Sequence, residues 1–376
     1  MRARTFLTLV LVLVAACGST EQLLVGELEA SVVYGNDDRV EVYASADEEH
    51  RRIAEQSIVA LIPASRVQSL VDGSFGLLAS SLKDRHDLCE DEPFANQPVA
   101  ASCSGVLIAD DLVLTAGHCV GDSRSCTLFN YVFDYYLEAP DRLASIDAED
   151  VYSCSRIVLD EDSSGSQLTP DFAIIQLDRP VTGSHSPASV RAASPLSEGA
   201  SLTMMGSGSG LPVKIDAGAS IADARAERGD YFVANLDAFE GHSGSATFDE
   251  QNELAGILIG GRVPDYVFIP EENCTRVNRF DDSMAGEIVH NIAPIIASLC
   301  DSGEGDETLC DPDACDGSPC GAHSAPPDDD TPPSTPGVVA GSASSCRVAT
   351  GEAHPPLLML LLVGWVAIRR VRQRAS

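Results

Sequence analysis

Between residues 31 and 300 the apolar residues of this chain come in short runs closed by turn residues. Examples are Ser57–Ile62, Gly105–Ile108, Leu112–Thr115, Phe172–Leu177, Leu202–Met205 and Ala255–Ile259. Runs this short, bounded by Gly, Asp, Ser and Pro, read as β-strands rather than helices. Long amphipathic helical patterns are scarce, and the best candidate covers residues 283–298. Many short strands joined by polar turns favour a barrel or a sandwich. No repeat of solenoid type interrupts the pattern.

The two ends follow other rules. Arg2 and Arg4 precede an apolar run from Phe6 to Ala16, too short to span a bilayer, so residues 1–17 read as a signal peptide. Val14-Ala15-Ala16-Cys17 also resembles a bacterial lipobox, which would make Cys17 a lipid anchor; ordinary cleavage is the other reading. Near the other end, Leu357–Ile368 is apolar and is followed by Arg369, Arg370, Arg372 and Arg374. Twelve helical residues reach about 18 Å, short of the ~30 Å hydrocarbon core, so residues 346–376 suit a sorting tail better than a lasting span. That tail resembles the C-terminal sorting signals of myxobacterial surface proteins, in which the Cys carries the anchor; the resemblance implicates Cys346. The expected location is therefore exported, at the cell surface, at the outer membrane or beyond it, with the membrane reached through Cys17 or Cys346.

Residues 301–345 are rich in Asp, Gly, Pro and Ser and lack Lys and Arg, the composition of a solvated stalk. Cys310, Cys315 and Cys320 are evenly spaced within it, but no CxxC pair accompanies them, so local disulfides are expected and no metal. Of twelve cysteines, setting aside Cys17 and Cys346 leaves ten, an even number that suits disulfides in an exported chain. The formal net charge of −33 argues against nucleic acid as a partner, because phosphate binding draws on a surplus of Lys and Arg.

Three motifs carry chemistry, in this order: Thr115-Ala116-Gly117-His118-Cys119, then Asp171-Phe172-Ala173-Ile174-Ile175-Gln176-Leu177, then Gly241-His242-Ser243-Gly244-Ser245. A hydroxyl needs a base during attack, an imidazole is the best base near neutral pH, and a carboxylate holds that imidazole in the useful tautomer. His118 alone among the eight histidines sits between an apolar run and a cysteine. Asp171 opens its apolar run directly and would be costly to bury without hydrogen bonds, such as one from His118 Nδ1; Asp178 and Asp160 are the other carboxylates near that run. Glycines flanking Ser243 allow a sharp turn that turns the Gly241 and Ser243 N–H groups outward as an oxyanion hole.

Together these motifs resemble the chymotrypsin-like serine proteases over residues 31–300, and the V8-like, glutamyl endopeptidase-related bacterial branch most closely. Residues 32–39, Tyr231–Asp237 and the Gly-Ser-Gly-Leu-Pro at 208–212 support that branch. The resemblance implies an all-β fold of two six-stranded antiparallel barrels with a C-terminal helix. It also implies disulfides Cys103–Cys119 and Cys126–Cys154, no cofactor, and protein or peptide substrates cleaved through an acyl-enzyme on Ser243. Asp237, six residues before the nucleophile, corresponds to the carboxylate of trypsin pockets and would favour basic residues; a turn residue capping its own backbone is the competing reading. Ile259, Gly260 and Gly261 correspond to the strand that pairs with substrate. Trypsins carry Asp immediately before the nucleophile to receive a new N-terminal ammonium; His242 stands there instead, so the N-terminal segment is expected to be structural. The alternative function is a catalytically silent module that binds peptides or partners in the same cleft.

Overall fold

A computed structural model of the chain describes residues 33–120, 126–162, 170–191, 196–225, 229–305 and 308–310. Six of the apolar runs close on themselves as a first barrel: β1 (Ile58–Pro63), β2 (Cys103–Ala109), β3 (Leu112–Thr115), β4 (Phe129–Val132), β5 (Val151–Asp162) and β6 (Asp171–Leu177). All neighbours are antiparallel, in the order β4-β5-β6-β3-β2-β1 and back to β4. The second barrel comprises β7 (Ser201–Gly206), β8 (Lys214–Asp223), β9 (Tyr231–Ala234), β10 (Ala246–Phe248), β11 (Leu254–Gly260) and β12 (Glu287–Asn291). Its order is β7-β10-β11-β12-β9-β8 and back to β7. Counted within each barrel, the order is the same, so one topology is used twice. The expected pair of six-stranded antiparallel barrels is what the chain adopts.

Strand alternation explains how the runs are used. In β1, Val59 and Leu61 enter the main core with Leu107, Leu114 and Ile175, whereas Ala60 and Ile62 face a second cluster with Val132, Tyr135 and Ile146. Both faces are covered, which is why the run is continuous rather than alternating. Each such Leu or Ile contributes about 1.5–3 kcal/mol on burial.

Before β1 the chain crosses the second barrel as a strap. Val33–Tyr34 pairs in parallel with Arg279–Phe280, and Arg39–Glu41 pairs antiparallel with β8 through Lys214–Asp216. Helix α1 (Glu48–Gln56), capped by the Asp47 carboxylate on the Glu49 and His50 N–H groups, then leads into β1.

The helix expected over 283–298 forms only in its second half. Residues 287–291 are β12, and α2 runs Ile292–Asp301. Pro294 decides this: at the third position of α2 its missing N–H costs nothing, whereas inside a longer helix it would break the turn at His290.

Four disulfides are present among the described residues. Cys103–Cys119 and Cys126–Cys154 are the two implied by the resemblance. Cys89–Cys274 joins the long excursion between β1 and β2 to a hairpin between β11 and β12. Cys300–Cys310 ties Cys310 to the end of α2, and Leu309 packs against the main core. Cys17, Cys315, Cys320, Cys346, the signal segment and the sorting tail lie outside the described residues.

Candidate active site

The β6–β3 pairing sets Ala173 opposite Thr115, so Asp171, two residues before Ala173, meets the chain just past Thr115. There a short helical turn, Gly117–Val120, carries His118. The Asp171 carboxylate accepts twice from this one residue, from its backbone N–H at 2.9 Å and from Nδ1 at 2.7 Å. With the proton on Nδ1, Nε2 is left as an acceptor, and the Ser243 Oγ hydroxyl lies 2.7 Å from it. The His118 side chain is 40 % exposed and that of Asp171 19 %, an open base on a sheltered acid.

Ser243 sits on the turn between β9 and β10. Gly244 has φ +81°, and a Cβ there would lie 2.2 Å from the Ser104 carbonyl oxygen, so only glycine fits. Gly241, at φ +95°, opens the same turn. Neither the Gly241 nor the Ser243 N–H donates to an acceptor among the described residues. These are the two groups expected to line an oxyanion hole.

Ser104, which sequence reasoning passed over, holds this turn in place. It lies in β2 of the first barrel and is wholly buried. Its N–H donates to the Ser243 carbonyl at 2.8 Å, its Oγ donates to the Gly241 carbonyl at 2.9 Å, and that Oγ accepts the Ser207 N–H at 2.9 Å. Its position beside Cys103, in the strand that braces His118, was the available signal. The glycine-rich stretch that follows β7 supports the Ser243 turn through the Ser209 N–H to the Glu240 carbonyl.

His242 is buried and neutral. Its Nδ1 accepts the Phe239 N–H at 3.0 Å, and burial, reinforced by the Arg39 and Lys214 cations, pushes its pKa down to about 3. The Arg39 guanidinium forks onto Asp37 at 2.7 and 2.8 Å and stacks 3.9 Å from the centre of the Phe239 ring. Side chains of the strap, rather than a new terminal ammonium, thus pack behind the nucleophile.

Asp237 does not face the cleft. It is 2 % exposed, and its two oxygens accept the Tyr34 and Asp38 N–H groups, each at 2.8 Å. This corrects the pocket role expected for it: a carboxylate whose lone pairs are committed to the strap is not available to a substrate. Burial and, second, repulsion from Asp216 hold the Asp237 carboxyl above the usual carboxylate range, and burial does the same for Asp216.

Ile259 and Gly260 end β11, and Gly261 follows them. Strand β10 stops with Ala246 opposite Ile257, and Leu258 then exchanges hydrogen bonds with the nucleophile turn, Gly244 N–H to Leu258 O at 2.7 Å and Leu258 N–H to Ser245 O at 2.9 Å. Beyond that point this edge of β11 has no partner strand among the described residues. His290, also missed from sequence, lies behind Asp171 with its ring edge-on to Phe172 at 5.4 Å.

Two closed six-stranded barrels with a Ser, His and Asp set between them define a chymotrypsin-like protease fold. The family model described as Trypsin matches residues 94–281, half of the chain, a span that includes His118, Asp171 and Ser243; the chain belongs to the trypsin family. Among solved structures, a Glu endopeptidase in complex with MPD is similar at 17 % identity, covering 73 % of this chain and all of that one, with a TM-score of 0.43. A search of curated proteins finds no match.

Proposed function

We propose that the protein is an exported serine endopeptidase that cleaves peptide bonds through an acyl-enzyme on Ser243. The observation that carries this reading is the unbroken relay from Ser243 Oγ to His118 Nε2 and from His118 Nδ1 to Asp171, each link 2.7 Å long. His118 takes the hydroxyl proton as Ser243 attacks, then returns it to the leaving amine. Asp171 fixes the tautomer and stabilises the imidazolium between those steps. The free N–H groups of Gly241 and Ser243 receive the oxyanion. The chemistry uses only these side chains and the backbone, and the substrate strand lies along Ile259–Gly261.

Export is supported by the four disulfides, which persist in oxidising compartments. Anchoring through Cys17 or Cys346 rests on the terminal sequences; deleting residues 347–376 in a Cys17→Ala background is expected to release the protein to the medium, and retention on membranes would end the anchor assignment.

The test of the reaction compares the wild type with Ser243→Ala on a mixed peptide library and with a fluorophosphonate probe. The wild type is expected to cut peptides and take the label at Ser243, and Ser243→Ala to do neither. A folded wild type that does neither as well would return the chain to the class of silent binding modules.

A further inference from the structure

Strand β12 begins with a carboxyl group that the fold leaves half used. Glu287 is wholly buried. Its Oε1 accepts the Tyr34 hydroxyl at 3.0 Å and the Arg262 N–H at 3.2 Å, while its Oε2 has no hydrogen-bond partner. Burial pushes its pKa up to about 8. An unpaired buried carboxyl oxygen is a standing cost in the folded state, and such groups recur where a ligand completes them.

Its position gives that cost a purpose. Glu287 pairs with Ala234, the last residue of β9 before the nucleophile loop, and its neighbour Ile288 pairs with Gly260. The carboxyl therefore lies between the root of the Ser243 loop and the open edge of β11. Oε2 rests against Gly261, where a Cβ would come within 1.5 Å of it. Any side chain at 261 would displace it, so the glycine and the acid occupy complementary space. A substrate strand along Ile259–Gly261, with its scissile carbonyl at Ser243, directs the side chain at the cleaved bond between these two walls.

We propose that Glu287 is the specificity-determining residue of this site and that it selects lysine at the bond to be cut. The proposal rests on the endopeptidase reading above and supplies its substrate class. A lysine ammonium is a compact charge that can donate to Oε2 alone. An arginine fork needs both oxygens of a carboxylate, and Oε1 already serves two donors. An uncharged side chain of the same length leaves Oε2 buried and unpaired, and an acidic one meets a second acid. Arg262 leaves Oε2 unpaired: its backbone N–H serves Oε1, its Nε donates to the Met284 carbonyl, and its guanidinium, which lies toward the Phe280 ring, favours the Glu287 carboxylate through space without bonding to Oε2.

The test uses binding, so that it does not depend on turnover. The full chain carrying Ser243→Ala is titrated calorimetrically with otherwise identical peptides ending in lysine, arginine, norleucine or glutamate. Lysine is expected to bind at least about 10-fold more tightly than norleucine, with arginine between them, and Glu287→Gln is expected to remove the advantage. Equal binding of lysine and norleucine, tightest binding of glutamate, or an unchanged lysine preference in a folded Glu287→Gln variant would each overturn the proposal. The comparison among peptides needs no Glu287 variant to fold. Lysine-selective binding by a wild type that neither cuts nor labels would refute the endopeptidase reading and leave Glu287 in place; cutting without lysine preference would do the reverse.

Discussion

The two barrels share one strand order and differ in what they bury. The first holds His118 and Asp171 on an apolar frame, and its buried polar side chains are small ones such as Ser104 and Thr115, with Asp150 at its edge paired to His185 at 3.0 Å. The second, with the strap across it, buries Arg39, Glu41, Lys214, Asp216, Asp237, His242, Glu287 and His290. His118 and Asp171 thus stand on a largely apolar scaffold, whereas Ser243, the Gly241 N–H and Ile259–Gly261 stand on one held by ionisable groups. A scaffold of the second kind is tunable, and its stability depends on the strap in a way the first does not.

Breaking the link between the two should have the largest effect. Replacing Cys89 and Cys274 by Ser opens a loop of 185 residues, worth about 5 kcal/mol in a chain-entropy account, and denaturant melts would read it. Next comes the charge pair of the strap, Lys214 Nζ to Glu41 Oε2 at 3.2 Å. Lys214→Met alone should cost about 3–5 kcal/mol, because Glu41 is left buried and unpaired; adding Glu41→Leu should restore most of the loss. A double variant no more stable than the single one would contradict the view that the second barrel's charges matter chiefly as pairs.

The pH response separates the barrels next. The folded pKa of His242, about 3, lies below its ordinary 6.5. The unfolded chain therefore takes up the extra proton, and stability falls as pH drops below about 6.5. Between pH 6 and 4 this amounts to about 3 kcal/mol, at about 1.4 kcal/mol for each pH step. Glu287 has the opposite sign: its folded pKa is raised from 4.5 to about 8, so its contribution is complete below about 4.5 and is lost as pH rises through about 8. The whole chain should be most stable between these limits, and His242→Gln should flatten the acid limb. An acid limb of undiminished slope in that variant would place the titrating group elsewhere. The smallest effect concerns Ser104→Ala. It should cost about 1–3 kcal/mol by leaving the Ser207 N–H without its acceptor, and should lower kcat more than it raises KM, since it loosens the nucleophile turn and touches no substrate.

Much of this was legible in the sequence, for physical reasons. Strands buried on both faces must be apolar without interruption, so the barrel runs stand out. The three reactive side chains announce themselves because each needs a special neighbour: a cysteine brace beside His118, an apolar strand after Asp171, glycines around Ser243. What stayed hidden depended on long-range geometry. Whether Asp237 points at a substrate or at Tyr34 turns on where the strap lies, two hundred residues away in sequence. Glu287 carries no local signature, since an isolated acid before Ile-Val-His looks like any strand residue, and the helical reading of 283–298 concealed even its strand. Ser104 is a common residue whose importance comes entirely from its partners across the barrel boundary.

Ser104 also bears on timing. The second barrel contains Ser243 but only part of what holds it, because the turn around Ser243 is completed by Ser104, in a strand of the first barrel. A chain in which only one barrel has formed therefore carries His118, Asp171 and Ser243 without the Ser104 contacts that complete the Ser243 turn.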